Sequence, residues 1–156
     1  MHREDFTLQT TNVEAESGGE TQPLPTIRLA YDGPQSDLRA ALEGADGTVL
    51  SEDEVDVSLR LQGPIDDRDP DGVLAVTDRV TGDYVCELNV DARDIFEFLA
   101  AAKRRAEAVD GTPKYRIQLA AEGHPIRTYE TDTFLVYTRD GTLRESESLL
   151  PGGVQL

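Results

Sequence analysis

The sequence predicts an α+β fold in which a mostly antiparallel sheet packs against one long helix, with one further short helix. Short segments with an apolar residue at every second position recur along the chain, as expected of half-buried strands. A single long segment instead repeats its apolar residues with the period of a helix. The chain has no strand–helix–strand series and no glycine-rich turn from strand to helix, so a doubly wound nucleotide-binding fold is disfavoured. Its length predicts a single domain over residues 1–156.

The first half of the chain alternates strand signals with turn signals. A predicted loop at 14–25 is poor in hydrophobic residues and rich in Gly, Glu and Pro, so we expect it to be mobile. Ser36 is the predicted N-cap of the short helix, which Gly44 ends. Gly63-Pro64 and Thr81-Gly82 predict two turns between strands. The strands predicted in this half are 6–13, 26–31, 55–62, 73–79 and 84–90.

The long helix is predicted to begin after Asp91, which caps it, and to reach about Val109. Its only basic run, Lys103-Arg104-Arg105, lies toward the end where the helix dipole favours positive charge, and this is our interpretation of the run. One apolar arc is expected to face the sheet. It consists of Ala92, Ile95, Phe96, Phe98, Leu99, Ala102, Ala106 and Val109.

Three further strands are predicted after the helix, at 115–121, 126–138 and 143–150. The turn at 122–125 and the Asp140-Gly141 pair connect them as hairpins. Strands this close in sequence pair antiparallel, so we expect two three-strand meanders flanking the long helix. The apolar ending 149–156 is expected either to fold back as an edge strand or to dock on a partner.

The charge of the chain predicts the solvent in which it works. Asp and Glu number 31 against 15 Lys and Arg, which gives a net charge of −16, and only two of the basic residues are lysines. In ordinary salt such a charge repels itself. At about 1 M ionic strength the Debye length is only ~3 Å, so the repulsion is screened. We therefore expect a folded protein that is adapted to molar salt. An acidic disordered chain is disfavoured, because the strand and helix patterns are clear.

The composition also predicts a compartment. The chain has no run of about 18 apolar residues and no apolar signal region at its start, so we expect a cytoplasmic protein that does not enter membranes. Its one cysteine, Cys86, excludes an internal disulfide and lies within an apolar alternation, where a buried, inert thiol is expected.

One segment has the pattern of a cation-binding loop. Asp67, Asp69 and Asp71 alternate before Gly72, as in the first half of a calcium loop, and Asp78 falls where an EF-hand places its last carboxylate. Pro70 and the strands predicted on either side weaken the match. The alternative is a solvated acidic turn, which an acid-rich chain contains anyway.

Basic side chains suggest a second kind of site. Arg28, Arg60 and Arg116 occupy outward positions of three predicted strands and could form an anion or nucleic-acid surface, with Tyr129 or Tyr137 stacking beside them. The alternative is that these arginines pair with acidic residues across the sheet. The absence of the glycine–aromatic signature of RNA-binding sheets favours this alternative.

Several stretches together resemble a known group of proteins. These are VDVSLRLQGP at 55–64, GVLAVTDRVTGDYVCELN at 72–89, YETDTFLVYTRDGTL at 129–143 and SLLPGGVQL at 148–156. With the acidic, lysine-poor composition they resemble a family of small uncharacterised haloarchaeal proteins, a domain of unknown function. The resemblance covers the chain beyond its N-terminal loop and implies a cytoplasm of high salt. It implies no activity, ligand or catalytic residue.

No set of catalytic residue types stands out. His124 lies alone on a predicted turn, and serine nucleophile elbows, phosphate loops and metalloprotease helices are absent. The sequence therefore favours a non-enzymatic interaction or regulatory module with an unknown protein partner, while a nucleic-acid partner has little support. The alternative is a protein that binds a small ligand or a divalent cation, calcium first, through the acidic loop 67–78.

Overall fold

The computed structural model describes residues 3–11, 24–63, 71–109 and 111–150. Within these ranges the fold is mostly β, with one short helix and one long helix. The strands are β1 (Phe6–Thr11), β2 (Thr26–Tyr31), β3 (Val55–Leu61), β4 (Asp71–Asp78), β5 (Tyr84–Asp91), β6 (Tyr115–Ala121), β7 (His124–Thr131) and β8 (Leu135–Tyr137). The helices are α1 (Gln35–Ala41) and α2 (Ala92–Val109).

The strands form two four-stranded mixed sheets. Sheet A has the order β1-β2-β6-β7, and sheet C has the order β5-β4-β3-β8. Each contains one parallel pair, β2 with β6 and β3 with β8, among antiparallel neighbours. The prediction of one mostly antiparallel sheet, built from two three-strand meanders against a long helix, is therefore wrong. Both parallel pairs join segments that are distant in sequence, and local alternation contains no information about such pairs.

The long strand predicted at 126–138 is in fact two strands in different sheets. β7 ends at Thr131, and the chain crosses to sheet C before β8 begins at Leu135. Short-range hydrogen bonds of side chains form at this break. The Thr133 N–H donates to Thr131 Oγ1, and the Thr133 hydroxyl donates to the Asp132 carboxylate. The Tyr115 hydroxyl donates to the Thr133 carbonyl at 2.6 Å. The backbone at Thr133 is therefore held by side chains instead of by a strand partner.

The two sheets and the two helices share one hydrophobic core. On α2 the buried side chains are Ala92, Ile95, Phe98, Leu99, Ala101, Ala102 and Ala106. The Phe98 ring meets the ring of Tyr115 on β6 edge-on at 5.5 Å, and the Tyr115 ring lies 5.7 Å from that of Phe134, just before β8. This contact of three rings joins the helix to both sheets.

Both helix starts depend on the residue before them. The Asp91 carboxylate accepts the Arg93 N–H at 2.9 Å, so the predicted cap of α2 is confirmed. Its guanidinium partner Arg93 donates hydrogen bonds that lower the pKa of Asp91. For α1 the prediction is wrong, because the N-cap is Pro34 rather than Ser36. Proline sets an extended backbone at that position without a side-chain acceptor. The first helical N–H, that of Gln35, donates to the Glu122 carboxylate at 2.9 Å.

The segment predicted as a strand at 143–150 is mostly a turn. Its pairing consists of two isolated bridges, Leu143 with Tyr137 and Leu149 with Phe134. Arg144 donates to both carboxylate oxygens of Glu147, at 2.7 and 3.2 Å, and lowers the pKa of Glu147 to about 2. The buried Ser148 hydroxyl accepts the Val136 N–H at 2.9 Å. Side chains therefore replace part of the strand pairing beside β8.

Other predictions of the sequence fall wholly or mostly outside the described residues. These are the loop 14–25, except for Leu24 and Pro25, which are buried, and the ending beyond residue 150.

Candidate binding groove

Two of the four residues of the predicted cation site, Asp71 and Asp78, lie far apart. Asp67 and Asp69 lie outside the described residues. Asp71 and Asp78 are the first and last residues of β4, so their backbones lie roughly 23 Å apart at ~3.3 Å per residue. One cation cannot contact both carboxylates. Cation binding by the acidic loop stays a prediction for the residues before β4, and no group of three or more candidate ligands occurs in the described ranges.

Asp78 has a structural partner of its own. Its carboxylate is buried and accepts the N–H groups of Val80 at 2.9 Å and Thr81 at 3.3 Å, in the turn that joins β4 to β5. The acidic residue that the calcium pattern places last is thus an acceptor for turn backbone.

Replacing Asp78 with alanine is expected to lower the free energy of unfolding by about 1–2 kcal/mol, because two turn N–H groups lose their acceptor. Asp78→Asn is the matched control, since the amide oxygen accepts the same bonds, and it should lose less. Denaturant unfolding followed by circular dichroism, with calcium and with a chelator, measures both. A loss that occurs only in calcium would restore Asp78 as a cation ligand.

The three arginines of the predicted anion surface lie on two different sheets. Arg28 and Arg116 are on the neighbouring strands β2 and β6 of sheet A, whereas Arg60 is on β3 of sheet C. Arg116 lies opposite Glu130 of β7 and forms an ion pair with it at 3.5 Å. The alternative of cross-strand pairing therefore holds for Arg116, and a surface of all three arginines is excluded. Tyr129, one of the two proposed stacking residues, is buried.

The remaining candidates have ordinary surroundings. Lys103 of the basic run donates to the Ser146 carbonyl at 2.7 Å. His124 is exposed at the start of β7. Cys86 is buried, as expected, and burial raises the pKa of its thiol to about 12, which keeps it protonated and unreactive. Among the residues that the structure describes, neither helix combines the length and the hydrophobicity of a membrane span.

A groove of about 390 Å³ crosses the outer face of sheet C. Its floor consists of Ser58 on β3 with Val73, Ala75 and Thr77 on β4, and Ser58 lies directly opposite Ala75. Val73 and Ala75 are each only 6% exposed although they face away from the core. Small side chains at the centre of the face, with larger ones around them, produce the depression.

Larger and charged side chains form the edges of this groove. Tyr84 of β5, which is 65% exposed, lies at one end, and Tyr137 of β8 lies at the other, beside its register partner Arg60. On the β5 side, Arg3 forms an ion pair with Glu87 at 3.3 Å. Three strand spacings of ~4.8 Å separate β5 from β8, so the groove is roughly 14 Å wide across the strands.

Arg60 is the unusual residue of the groove. An ideal Cβ built on Gly141 would lie 3.3 Å from Arg60 Nη2, so the guanidinium approaches the turn between β8 and Leu143. Gly141 has a φ of 91°, which suits only glycine, and its missing side chain leaves this space to Arg60. Within the described ranges, the Arg60 guanidinium has no ion pair and donates no hydrogen bond.

A second depression, of about 530 Å³, lies where the two sheets meet. Glu52, Asp53, Glu130 and Asp132 line it together with Arg79 and Lys114. Arg79 donates to Asp56 at 2.9 Å and to the carbonyls of Asp53 and Val55, so its guanidinium fastens the start of β3 to the end of β4. These contacts are internal to the fold. They satisfy the Arg79 guanidinium, so its position needs no bound ligand to explain it.

The groove was not predicted from the sequence. The alternation of β3 placed Ser58 and Arg60 on an outer face, and Tyr137 was one of two residues proposed to stack beside the three arginines. The specific neighbours Ser58–Ala75 and Arg60–Tyr137 were not predicted. Those neighbours follow from strand order and from the parallel pairing of β8.

Comparison with known proteins gives a family and no activity. No curated protein and no solved structure matches the chain. A model of a family of unknown function, DUF5793, matches residues 1–156, the whole of the sequence. The resemblance to a domain of unknown function is thereby confirmed, and the chain belongs to the DUF5793 family.

Proposed function

We propose that the protein is a non-enzymatic interaction module that binds a partner protein through the outer face of sheet C. The observation that carries this proposal is the groove itself, with an exposed Tyr84 at one end and Arg60, which has no ion pair within the described residues, toward the other. Tyrosine and arginine are enriched at the centres of protein interfaces, where they supply large contact areas and directed hydrogen bonds. A floor of small side chains gives a partner's side chains room to enter.

The ionisable groups with large pKa shifts support binding rather than catalysis. A general acid needs a carboxyl pKa raised toward neutrality, whereas the pKa of Glu147 is lowered to about 2 by Arg144. A nucleophilic thiol needs a lowered pKa, whereas burial raises that of Cys86 to about 12. Neither residue lines the groove. Both shifts have structural causes, so neither Glu147 nor Cys86 is prepared for acid–base or nucleophilic chemistry.

We further propose that the module works in a cytoplasm of molar salt, as in haloarchaea. The support is the net charge of −16 with only two lysines, Lys103 and Lys114. Screening at a Debye length of ~3 Å makes such a charge compatible with a compact fold and with the approach of an acidic partner.

The interaction is tested by affinity capture from the native host in molar potassium chloride, followed by mass spectrometry. The wild type is expected to retain one protein in stoichiometric amount, and Tyr84→Ala is expected to weaken its retention at least ~10-fold, because truncating an interface tyrosine removes a large contact area. Thr128→Arg, an exposed position of β7 on sheet A, is the matched control and should retain the partner as the wild type does.

Two results would contradict the proposal. One is a folded wild type that retains no stoichiometric protein. The other is retention that Tyr84→Ala leaves unchanged while Thr128→Arg removes it, which would place the interface on sheet A.

A further inference from the structure

We infer that the groove recognises a carboxylate, namely a glutamate or aspartate side chain of the partner protein, which binds to the Arg60 guanidinium. This inference deepens the proposed function and rests on it. Arg60 lies between Tyr137 on β8 and Val73 on β4 in the strand register. An aromatic ring and an apolar floor thus flank the cation.

Arg60 differs from five other arginines of the described ranges, which are paired with acidic side chains. Ion pairs join Arg3 to Glu87, Arg79 to Asp56, Arg93 to Asp91, Arg116 to Glu130 and Arg144 to Glu147. Within the described ranges Arg28, Arg39, Arg127 and Arg139 also form no ion pair, but none of them lines the groove. Arg60 lines the groove and has no such pair among the described residues. Its donors are available to a ligand.

The charge of the groove limits the chemistry of that ligand. Arg3 and Glu87 neutralise each other, so Arg60 supplies the remaining positive charge of the lining. Nucleic acids and polyphosphates are bound by several cations arranged along a stripe, and this groove offers one. A single guanidinium matches a single carboxylate, which accepts two parallel hydrogen bonds from its planar fork.

The apolar part of the groove matches the rest of an acidic side chain. Val73 and Ala75 leave a small apolar area in the floor next to Arg60, and the methylene groups of a glutamate would pack there and against Tyr137. The width of roughly 14 Å corresponds to four or five extended residues at ~3.3 Å each. An extended acidic segment of a partner therefore fits better than a compact anion such as phosphate.

The test is a titration followed by NMR in 2 M potassium chloride, with three probes. These are the capped peptide acetyl-Ala-Glu-Ala-amide, its glutamine counterpart, and inorganic phosphate. The glutamate peptide is expected to shift the Arg60 Nε–H resonance and the amides of Ser58 and Ala75. The glutamine peptide and phosphate should bind at least ~10-fold more weakly.

Variants show whether the guanidinium is responsible. Arg60→Gln should abolish the shifts at Ser58 and Ala75, and Arg60→Lys should weaken binding, because an ammonium lacks the planar fork. Arg116→Gln removes an arginine already paired with Glu130 on the other sheet, so it should leave the titration unchanged.

The outcomes separate this inference from the proposed function. Equal binding of the glutamate and glutamine peptides at the groove would overturn carboxylate recognition and leave the groove as a protein-binding surface. Tighter binding of phosphate than of the glutamate peptide would overturn it in favour of a phosphorylated ligand. No shift at the groove with any probe, combined with partner capture that depends on Tyr84, would overturn the role of Arg60 alone.

Discussion

Replacing Tyr115 with alanine is expected to lower the free energy of unfolding by about 4 kcal/mol. The Tyr115 side chain is fully buried, and its ring contacts Phe98 of the helix and Phe134 beside β8. Its hydroxyl also donates to the Thr133 carbonyl at the crossing between the sheets. The substitution therefore opens a cavity where the helix and both sheets meet, and it leaves a carbonyl without its donor. Denaturant unfolding at constant potassium chloride concentration measures the loss.

Two controls separate the contributions of the ring and the hydroxyl. Tyr115→Phe keeps the ring and should cost only about 1–2 kcal/mol. Tyr84→Ala removes the same side chain from an exposed strand position and should change stability by less than about 0.5 kcal/mol. If Tyr115→Ala cost no more than Tyr84→Ala, the three-ring contact would not be a centre of the core.

Transfer from 2 M to 0.1 M potassium chloride is expected to lower the free energy of unfolding by roughly 5 kcal/mol, comparable with the whole stability of many domains. The reason is the net charge of −16, since the Debye length grows to ~10 Å at 0.1 M salt and the carboxylates then repel one another across the surface. Circular dichroism over a series of salt concentrations at neutral pH should show loss of structure at the low end.

A charge variant tests whether repulsion is the cause. Asp94, Glu97 and Glu107 are exposed on α2, and their combined replacement by Asn, Gln and Gln should shift the salt requirement to lower concentration. Salt also strengthens apolar burial, and that effect would be the same in both proteins. Identical salt curves for the variant and the wild type would therefore assign the salt dependence to apolar burial and not to charge.

Local pattern predicted single elements of this fold more accurately than their arrangement. The predicted strands at 26–31 and 115–121 agree with β2 and β6, because each has a clean alternation between turn residues. Their parallel pairing was missed, since alternation shows which face of a strand is buried and not which strand lies beside it. The break after Thr131 was missed because threonines and aromatic residues continue through it.

For the candidate site, too, the sequence predicted single residues more accurately than their grouping. The spacing of Asp71 and Asp78 suggested a shared ion, but the residues between them form a strand and hold the two carboxylates far apart. Arg60 was correctly placed on an outer face, and the prediction failed in grouping it with Arg28 and Arg116. Ser58 and Ala75 carry no recognisable signal by themselves, because a groove floor of small residues exists only once β3 and β4 are in register.

The parallel pairing of β2 with β6 has a consequence for synthesis on the ribosome. The central pair of sheet A joins Thr26–Tyr31 to Tyr115–Ala121, and β3, β4, β5 and α2 all lie between them in the chain. The β1–β2 hairpin must therefore wait for its inner neighbour until most of the chain has left the exit tunnel. Pairings between such distant segments slow folding, because the intervening loop must be closed first. A truncation before residue 115 would leave this hairpin with an unpaired inner edge, a template for association with other chains.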